Sequence, residues 1–110
     1  MNTLRNKVQL IGNLGNDPEI INLESGKTLA KFSIATNESY KNAKGEKVTD
    51  TQWHNIVAWG KTAQIVEKFV GKGKEVAIEG KLTTRAWEDK EGIKRYTTEV
   101  VCNELLLLSK

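Results

Sequence analysis

An apolar period of two runs along most of this 110-residue chain and is the feature that most limits its fold. In residues 28–36 the side chains of Ala30, Phe32 and Ile34 alternate with those of Lys31 and Ser33. Successive residues of a β-strand point to opposite faces, so this alternation predicts a half-buried strand. The same period predicts further strands at 6–12, 51–60, 74–83 and 96–108.

The period changes once, in residues 62–70. Ala63, Val66 and Phe69 recur there at helical spacing, and Gly71 and Gly73 follow, as expected after a helix end. The order is therefore three strands, one short helix and two strands. It predicts an all-β fold class and favours the OB-fold, a five-stranded Greek-key barrel with one short helix between strands 3 and 4. Periodicity alone leaves other small barrels open.

The length predicts a single domain that spans residues 1–110. The formal net charge of +3 permits a polyanionic partner but does not require one. Cys102 is the only cysteine, which excludes an internal disulfide and favours a reducing, cytoplasmic setting. The first ten residues lack the apolar region of a signal peptide, and no apolar run approaches the ~20 residues of a membrane span, so no membrane association is expected.

Two polar segments interrupt the predicted strands. Residues 37–50 are lysine-rich, and we interpret them as a long loop or a flexible hairpin tip, a kind of segment that tends to be functional. The sequence from Asp89 to Gly92 is a hairpin turn signal.

Four aromatic side chains lie in polar surroundings. Trp53 and Trp59 share a strand face with Asn55 between them, Trp87 lies in the polar segment TTRAWED (83–89), and Tyr40 lies in the lysine-rich segment. A core position is the alternative for each tryptophan. Four such aromatics together favour a stacking platform for the bases of a single nucleic-acid strand, which accepts any base at ~1–3 kcal/mol each.

Lysines and arginines near these aromatics could contact the phosphates of such a strand, although an ordinary solvated charge is the alternative for each of them. The candidates are Arg5, Lys7, Lys61, Lys72, Lys74, Lys81 and Arg85.

Enzyme and metal signals are poor. One histidine and one cysteine exclude zinc fingers and histidine-rich metal sites, so we expect no catalytic residue, no cofactor and no metal. His54 falls on the strand face opposite Trp53 and Trp59, which favours a structural or subunit-contact role. The sequence from Gly12 to Gly15 matches the GxxG loop of KH domains, but it follows a strand rather than joining two helices.

Four blocks of sequence resemble the bacterial single-stranded-DNA-binding proteins: NKVQLIGNLGNDPE (6–19), WHNIVAWGK (53–61), IEGKLTTRAW (78–87) and YTTEV (96–100). They occur in order and span nearly the whole chain. The resemblance implies an OB-fold, a homotetramer, and a role in DNA replication, recombination and repair. It also implies that the stacking aromatics are Tyr40, Trp53, Trp59 and Trp87. Tyr40 and Trp59 stand where the bacterial prototype has Trp and Phe.

Members of that family usually continue into a Gly/Pro-rich linker and an acidic tail that recruits partner proteins. This sequence stops at Lys110 without either, so it is a short member or only the DNA-binding core, and we do not expect these 110 residues to recruit replication and repair proteins. We expect a non-catalytic binder of single-stranded DNA. The alternatives are an OB-fold accessory protein of a replication-restart complex, an RNA-binding OB or cold-shock-like module, and an enzyme.

Overall fold

The computed structural model describes residues 3–108, so both ends of the predicted domain 1–110, including Lys110, lie outside the described residues. A short 3₁₀ turn (Thr3–Asn6) comes first. The longer elements follow in the order β1 (Val8–Leu14), β2 (Glu19–Asn22), β3 (Thr28–Lys41), β4 (Lys47–Trp59), α1 (Gly60–Phe69), β5 (Glu75–Glu88) and β6 (Lys94–Leu107).

Five of the strands form a closed barrel in the order β1-β5-β6-β4-β3. The barrel closes where β3 meets β1, with Asn13 opposite Ala35 and Leu14 opposite Ile34. The short strand β2 adds to the edge of β3. Since β2 lies outside the closed ring, α1 joins the third and fourth barrel strands, and the predicted five-stranded Greek-key barrel with its single connecting α-helix is confirmed.

The alternating apolar residues form the core inside the barrel. Ala30, Phe32 and Ile34 of β3 are buried there, as the period of two predicts. The other inward-facing strands contribute in the same way, and Ala63 and Val66 of α1, both fully buried, cover one side of the cluster. The helix begins at Gly60 and ends at Phe69, slightly earlier than the predicted range 62–70. Within residues 3–108 no helix is long and apolar enough to cross a bilayer.

Of the two interpretations of residues 37–50, the structure shows a hairpin tip and not a long loop. β3 and β4 stay paired from Leu29 opposite Trp59 to Lys41 opposite Lys47, without a break in register. Only residues 42–46 form the turn. The outer part of this hairpin is exposed on both faces, so its sequence has no apolar face to alternate and gives no strand signal.

Candidate nucleic-acid interface

β4 carries two tryptophans on the outside of the barrel. Its side chains alternate, so Ile56 and Ala58 point into the core while Trp53, Asn55 and Trp59 point outward. Trp53 is 60% exposed and Trp59 is 44% exposed. The predicted shared face is confirmed, and neither indole belongs to the core. Val57 lies on the same outward face but is buried.

Trp53 lies against the loop that follows β1. A Cβ on Gly15 would come within 2.5 Å of the Trp53 ring, so the indole packs directly on the glycine backbone. A Cβ on Gly12 would overlap the carbonyl oxygen of Ala35, where β1 crosses β3 at the barrel closure. The two glycines of the GxxG match are therefore needed for two close approaches and not for a KH loop.

The same loop brings the lysines at 72 and 74 close to Trp53. The Leu14 N–H donates to the Lys74 carbonyl, and the Gly73 N–H donates to the Leu14 carbonyl, at 3.0 and 2.9 Å. The Lys72 N–H donates to Asp17 Oδ1 at 2.8 Å. The α1–β5 turn is thus fixed beside the segment on which the Trp53 ring lies. These lysines are 19 and 21 positions from Trp53 in sequence, and the fold brings their turn to the same loop.

Trp87 and Arg85 lie on the outward face of β5, and each reaches a side chain of β6. The Trp87 indole Nε1–H donates to Thr97 Oγ1 at 2.8 Å. Arg85 Nε donates to Glu99 Oε1 at 3.1 Å, and the Glu99 side chain is only 13% exposed. Trp87 itself remains 42% exposed, so its ring is available to a ligand.

Both long hairpins project past the same end of the barrel. β4 and β6 pair in parallel from Ile56 opposite Val100 to Ala58 opposite Cys102. In each hairpin the outer arm precedes these paired residues, so the β3–β4 and β5–β6 arms extend in the same direction. Trp53 belongs to the β3–β4 arm and Trp87 to the β5–β6 arm, and β6 lies between β4 and β5, the strands that carry them.

Tyr40 is 51% exposed but lies on the other face of its hairpin. Ala35 is opposite Trp53, and five residues separate Ala35 from Tyr40 along a strand of unbroken register. An odd separation reverses the face. A nucleic-acid strand on the outward face would have to pass round the hairpin edge to reach Tyr40.

The remaining basic candidates are more dispersed. Lys61 is exposed in the first turn of α1, two residues after Trp59. Lys7 forms an ion pair with Glu79 at 3.0 Å. Arg5 is exposed in the 3₁₀ turn, which the Asn6 side chain fixes to the backbone of Leu82 in β5. Lys81 is exposed on the outward face of β5.

Sequence reasoning did not find Thr97 or Glu99, and it noted Gly15 only as part of the GxxG match. All three make their contacts with residues that are distant in sequence, so no local pattern predicts those contacts. It also passed over Tyr96, which is 66% exposed on the opposite face of the β5–β6 hairpin from Trp87, with Lys94 Nζ 5.7 Å from its ring centroid. The sequence does show an aromatic residue two positions after a lysine, and this spacing could have made Tyr96 a candidate.

His54 and Cys102 lie away from this surface. His54 Nε2 is 2.9 Å from Thr36 Oγ1 of the same chain, on the face of β4 that does not carry the tryptophans. Cys102 is buried, and burial raises the pKa of its thiol to about 11, which keeps it protonated and unreactive at neutral pH.

A closed OB-fold barrel with exposed tryptophans and cations on its outward face defines a protein of the oligonucleotide-binding class. Residues 5–108 match the model of the single-strand binding protein family, and the chain belongs to that family.

The chain is 49% identical over 104 residues to single-stranded DNA-binding protein 1 of Chlorobaculum tepidum, covering 94% of this chain and 64% of that protein. It is 45% identical to single-stranded DNA-binding protein 1 of Xylella fastidiosa, covering 96% of this chain and 78% of that protein. It therefore spans about two thirds to three quarters of the length of these relatives.

Two solved structures share the fold. The single-stranded DNA complex of the Plasmodium falciparum protein superposes with a TM-score of 0.87 at 33% identity, over 94% of this chain and 95% of that one. A deletion mutant of the single-stranded DNA-binding protein from Thermus aquaticus gives a TM-score of 0.82 at 24% identity, over 94% of this chain and 50% of that one.

Proposed function

We propose that this chain binds single-stranded DNA with little sequence preference and without catalysis. The observation that carries the proposal is the exposure of three tryptophans, Trp53, Trp59 and Trp87, on the outward face of the barrel. Leaving three large rings in water costs hydrophobic free energy, and a stacked base removes that cost. Every base has a π-face, so stacking does not select a sequence.

Cations around the rings would follow the phosphates. The turn that contains Lys72 and Lys74 is hydrogen-bonded to the segment under Trp53, and Lys61 lies in the first turn of α1, two residues after Trp59. Arg85 contacts Glu99 through Nε, and a guanidinium has further N–H donors that suit a phosphate.

Four further predicted residues would make additional contacts with the DNA strand. Asn55 is exposed between the two tryptophans of β4 and suits a hydrogen bond to a base or sugar. Tyr40 extends the stacking surface round the β3–β4 hairpin. Arg5 and Lys7 lie at the β1–β5 side, where the ion pair with Glu79 reduces the net charge that Lys7 offers.

We propose further that the barrel assembles into a homotetramer in the cytoplasm and serves DNA replication, recombination and repair. Ile11 and Leu106 are 59% and 62% exposed on the outward side of β1 and β6. With Ile65 of α1 they border an open groove of about 950 Å³. Apolar surface of this kind is typical of protein contacts. In a tetramer, one DNA strand could bind to several barrels at once.

A titration of intrinsic tryptophan fluorescence tests the proposal. Stacking of bases on exposed indoles should quench the emission as oligo-dT is added, with saturation at a defined stoichiometry. Oligo-U should bind more weakly, and duplex DNA of the same length should leave the emission unchanged because its bases are already stacked. Equal or tighter binding of oligo-U would favour the RNA-binding alternative. A flat titration with oligo-dT would overturn the proposal.

A further inference from the structure

Thr97 accepts a hydrogen bond from Trp87 in the exposed part of the β5–β6 hairpin, outside the barrel core. In the β5–β6 hairpin, Arg85 is directly opposite Thr97 and Trp87 is directly opposite Arg95. The indole of Trp87 nevertheless donates its N–H diagonally to Thr97 Oγ1, two residues nearer the barrel than Arg95, at 2.8 Å.

The neighbouring side chains fit this diagonal arrangement. Arg85 makes the same diagonal contact: it lies opposite Thr97, and its Nε donates to Glu99, two residues nearer the barrel. Arg95, opposite Trp87, turns the other way and donates from Nε to Asp89 Oδ2 in the hairpin turn at 3.0 Å. The two arginines that share this face of the hairpin with Trp87 are thus each bonded to a carboxylate, and the Trp87 N–H is bonded to the Thr97 hydroxyl.

We propose that Thr97 is a positioning residue, which holds the Trp87 indole in the orientation that stacks on a base. The inference rests on the proposed function. An indole that keeps its N–H bonded along its edge leaves its faces free, and it loses less rotamer freedom when a base binds. Without the hydroxyl the ring would rotate about χ1 and χ2, and binding would have to order it.

The chain offers a matched control on the other face of the same hairpin. Thr84 Oγ1 and Thr98 Oγ1 are 3.0 Å apart, and this pair of hydroxyls does not contact Trp87 in the hydrogen bonds of the described residues. Thr98→Val removes a cross-strand hydroxyl contact of the same kind, one residue from Thr97. Any general weakening of the hairpin should therefore appear equally in Thr97→Val and Thr98→Val.

The experiment measures oligo-dT affinity and the thermal unfolding midpoint of both variants. Thr97→Val should bind about three- to tenfold more weakly, the cost of ordering one side chain on binding. Thr97→Ser, which keeps the hydroxyl, should restore most of the affinity. Thr98→Val should bind like the unmodified protein. Equal affinities of Thr97→Val and Thr98→Val would overturn the proposal.

A double-mutant cycle separates positioning from a direct contact between Thr97 and DNA. Phe has no indole N–H, so in a Trp87→Phe background Thr97→Val should have no further effect on affinity. An undiminished effect in that background would overturn the proposal. In the free protein, the Trp87 indole N–H resonance should shift in Thr97→Val and stay in place in Thr98→Val.

The two proposals fail in different ways. If the unmodified protein does not bind oligo-dT, the proposed function is overturned and the role of Thr97 in binding falls with it. If the unmodified protein binds and the Thr97 variants are indistinguishable from it, only the positioning role is overturned.

Discussion

Trp53 and Phe32 illustrate, at the scale of single residues, how the direction of a side chain decides its role. Both are aromatic and lie on adjacent, paired strands. Phe32 points into the barrel and is 7% exposed, whereas Trp53 points outward and is 60% exposed. The Phe32 ring stabilises the core, while the Trp53 ring contributes little to it and is free to meet a ligand.

Trp53→Ala should therefore weaken single-strand binding by ~1–3 kcal/mol, roughly 5- to 150-fold, because one stacking platform is lost. The fold should persist, since the ring is mostly in solvent. Phe32→Ala is the contrasting control and should lower the free energy of unfolding by about 3–5 kcal/mol. Fluorescence titration and thermal unfolding measure the two effects. If Trp53→Ala unfolds the protein, the stacking role is wrong.

Gly15 should help to determine the position of the Trp53 ring. In Gly15→Ala the new methyl group would lie 2.5 Å from the indole, so the ring or the loop has to move. We expect several-fold weaker binding of oligo-dT, caused by a displaced platform. The effect should disappear in a Trp53→Ala background, where no ring meets the methyl group. Gly71→Ala is the control, because its Cβ would make an ordinary contact of 3.4 Å with Asp17 Oδ1.

At the scale of elements, three connections in the sheet use the same turn. Residues 23–27, 42–46 and 89–93 each close with an N–H from the first residue to the carbonyl of the fifth, and each has a glycine of positive φ at the fourth position. In two of the turns a side-chain oxygen adds hydrogen bonds. Asn42 Oδ1 accepts from the N–H groups of Lys44 and Glu46, and Asp89 Oδ1 accepts from those of Glu91 and Ile93.

The Asp89 turn should depend on pH, and the Asn42 turn should not. The Ile93 N–H first, and then the Arg95 guanidinium, lower the pKa of Asp89 from its ordinary value of 3.8. The group therefore contributes stability that is complete above this value and is lost as the pH falls through the lower pKa of the folded state. Asn42 carries no titrating group and serves as an internal control.

Thermal unfolding between about pH 5 and pH 2 checks this prediction. Asp89→Asn keeps an acceptor for the turn, as Asn42 does, and should lose less stability over this interval than the unmodified protein. The Asp89 carboxyl should titrate below its ordinary value by NMR. A midpoint at or above that value would contradict the hydrogen-bond network described for the turn.

At the scale of the whole molecule, the positive charge is modest and partly compensated. The formal net charge is +3, and Lys7 and Arg85 are paired with Glu79 and Glu99. Phosphate contacts should therefore come mainly from exposed lysines outside these ion pairs, such as Lys61 and Lys72.

Affinity for oligo-dT should fall linearly with salt on logarithmic axes, with a slope of about −0.7 for each phosphate neutralised. Lys72→Gln should flatten the slope by roughly one such step. Lys7→Gln should change it less, because the Glu79 carboxylate already offsets its charge. Titrations at several salt concentrations give the slopes, and a salt-independent affinity would remove phosphate contacts from the proposal.

The proposed assembly should depend on the apolar outward side of β1 and β6. Leu106→Glu places a carboxylate at a side chain that is 62% exposed beside the groove, so it should shift the protein toward smaller species without unfolding it. Ile93→Glu, at an exposed hairpin turn, should leave the assembly unchanged. Light scattering at micromolar concentration measures both, and a monomeric unmodified protein would contradict the tetramer.

His54→Tyr is a less direct probe of the same assembly. The sequence suggests a subunit contact for His54, and the ring lies on the predicted face. It also bonds Thr36 within its own chain. We expect the substitution to favour smaller species, while loss of the Thr36 contact should lower the unfolding midpoint as well. The Leu106 variant separates these two effects.

The sequence by itself determined which strand residues face the core and where the helix lies. Alternation fixes which side chains of a strand share a face, since the backbone geometry repeats every two residues, and Ala30, Phe32 and Ile34 are buried as that rule requires. The same rule placed Trp53 and Trp59 together on the outside. The helical spacing of Ala63 and Val66 placed the one connecting helix correctly, because both periods are local properties of the chain.

Only the tertiary structure decided which residues meet across the chain. The pairing of 37–41 with 47–51 left no alternation in the sequence because neither face of this part of the hairpin packs on the core. Strand order and register decide three such relations. Tyr40 lies on the opposite hairpin face from Trp53, Gly15 packs against the Trp53 indole, and Trp87 bonds to Thr97. Register is set by the packing of the whole barrel, and a contact between residues far apart in sequence leaves no periodic trace near either of them.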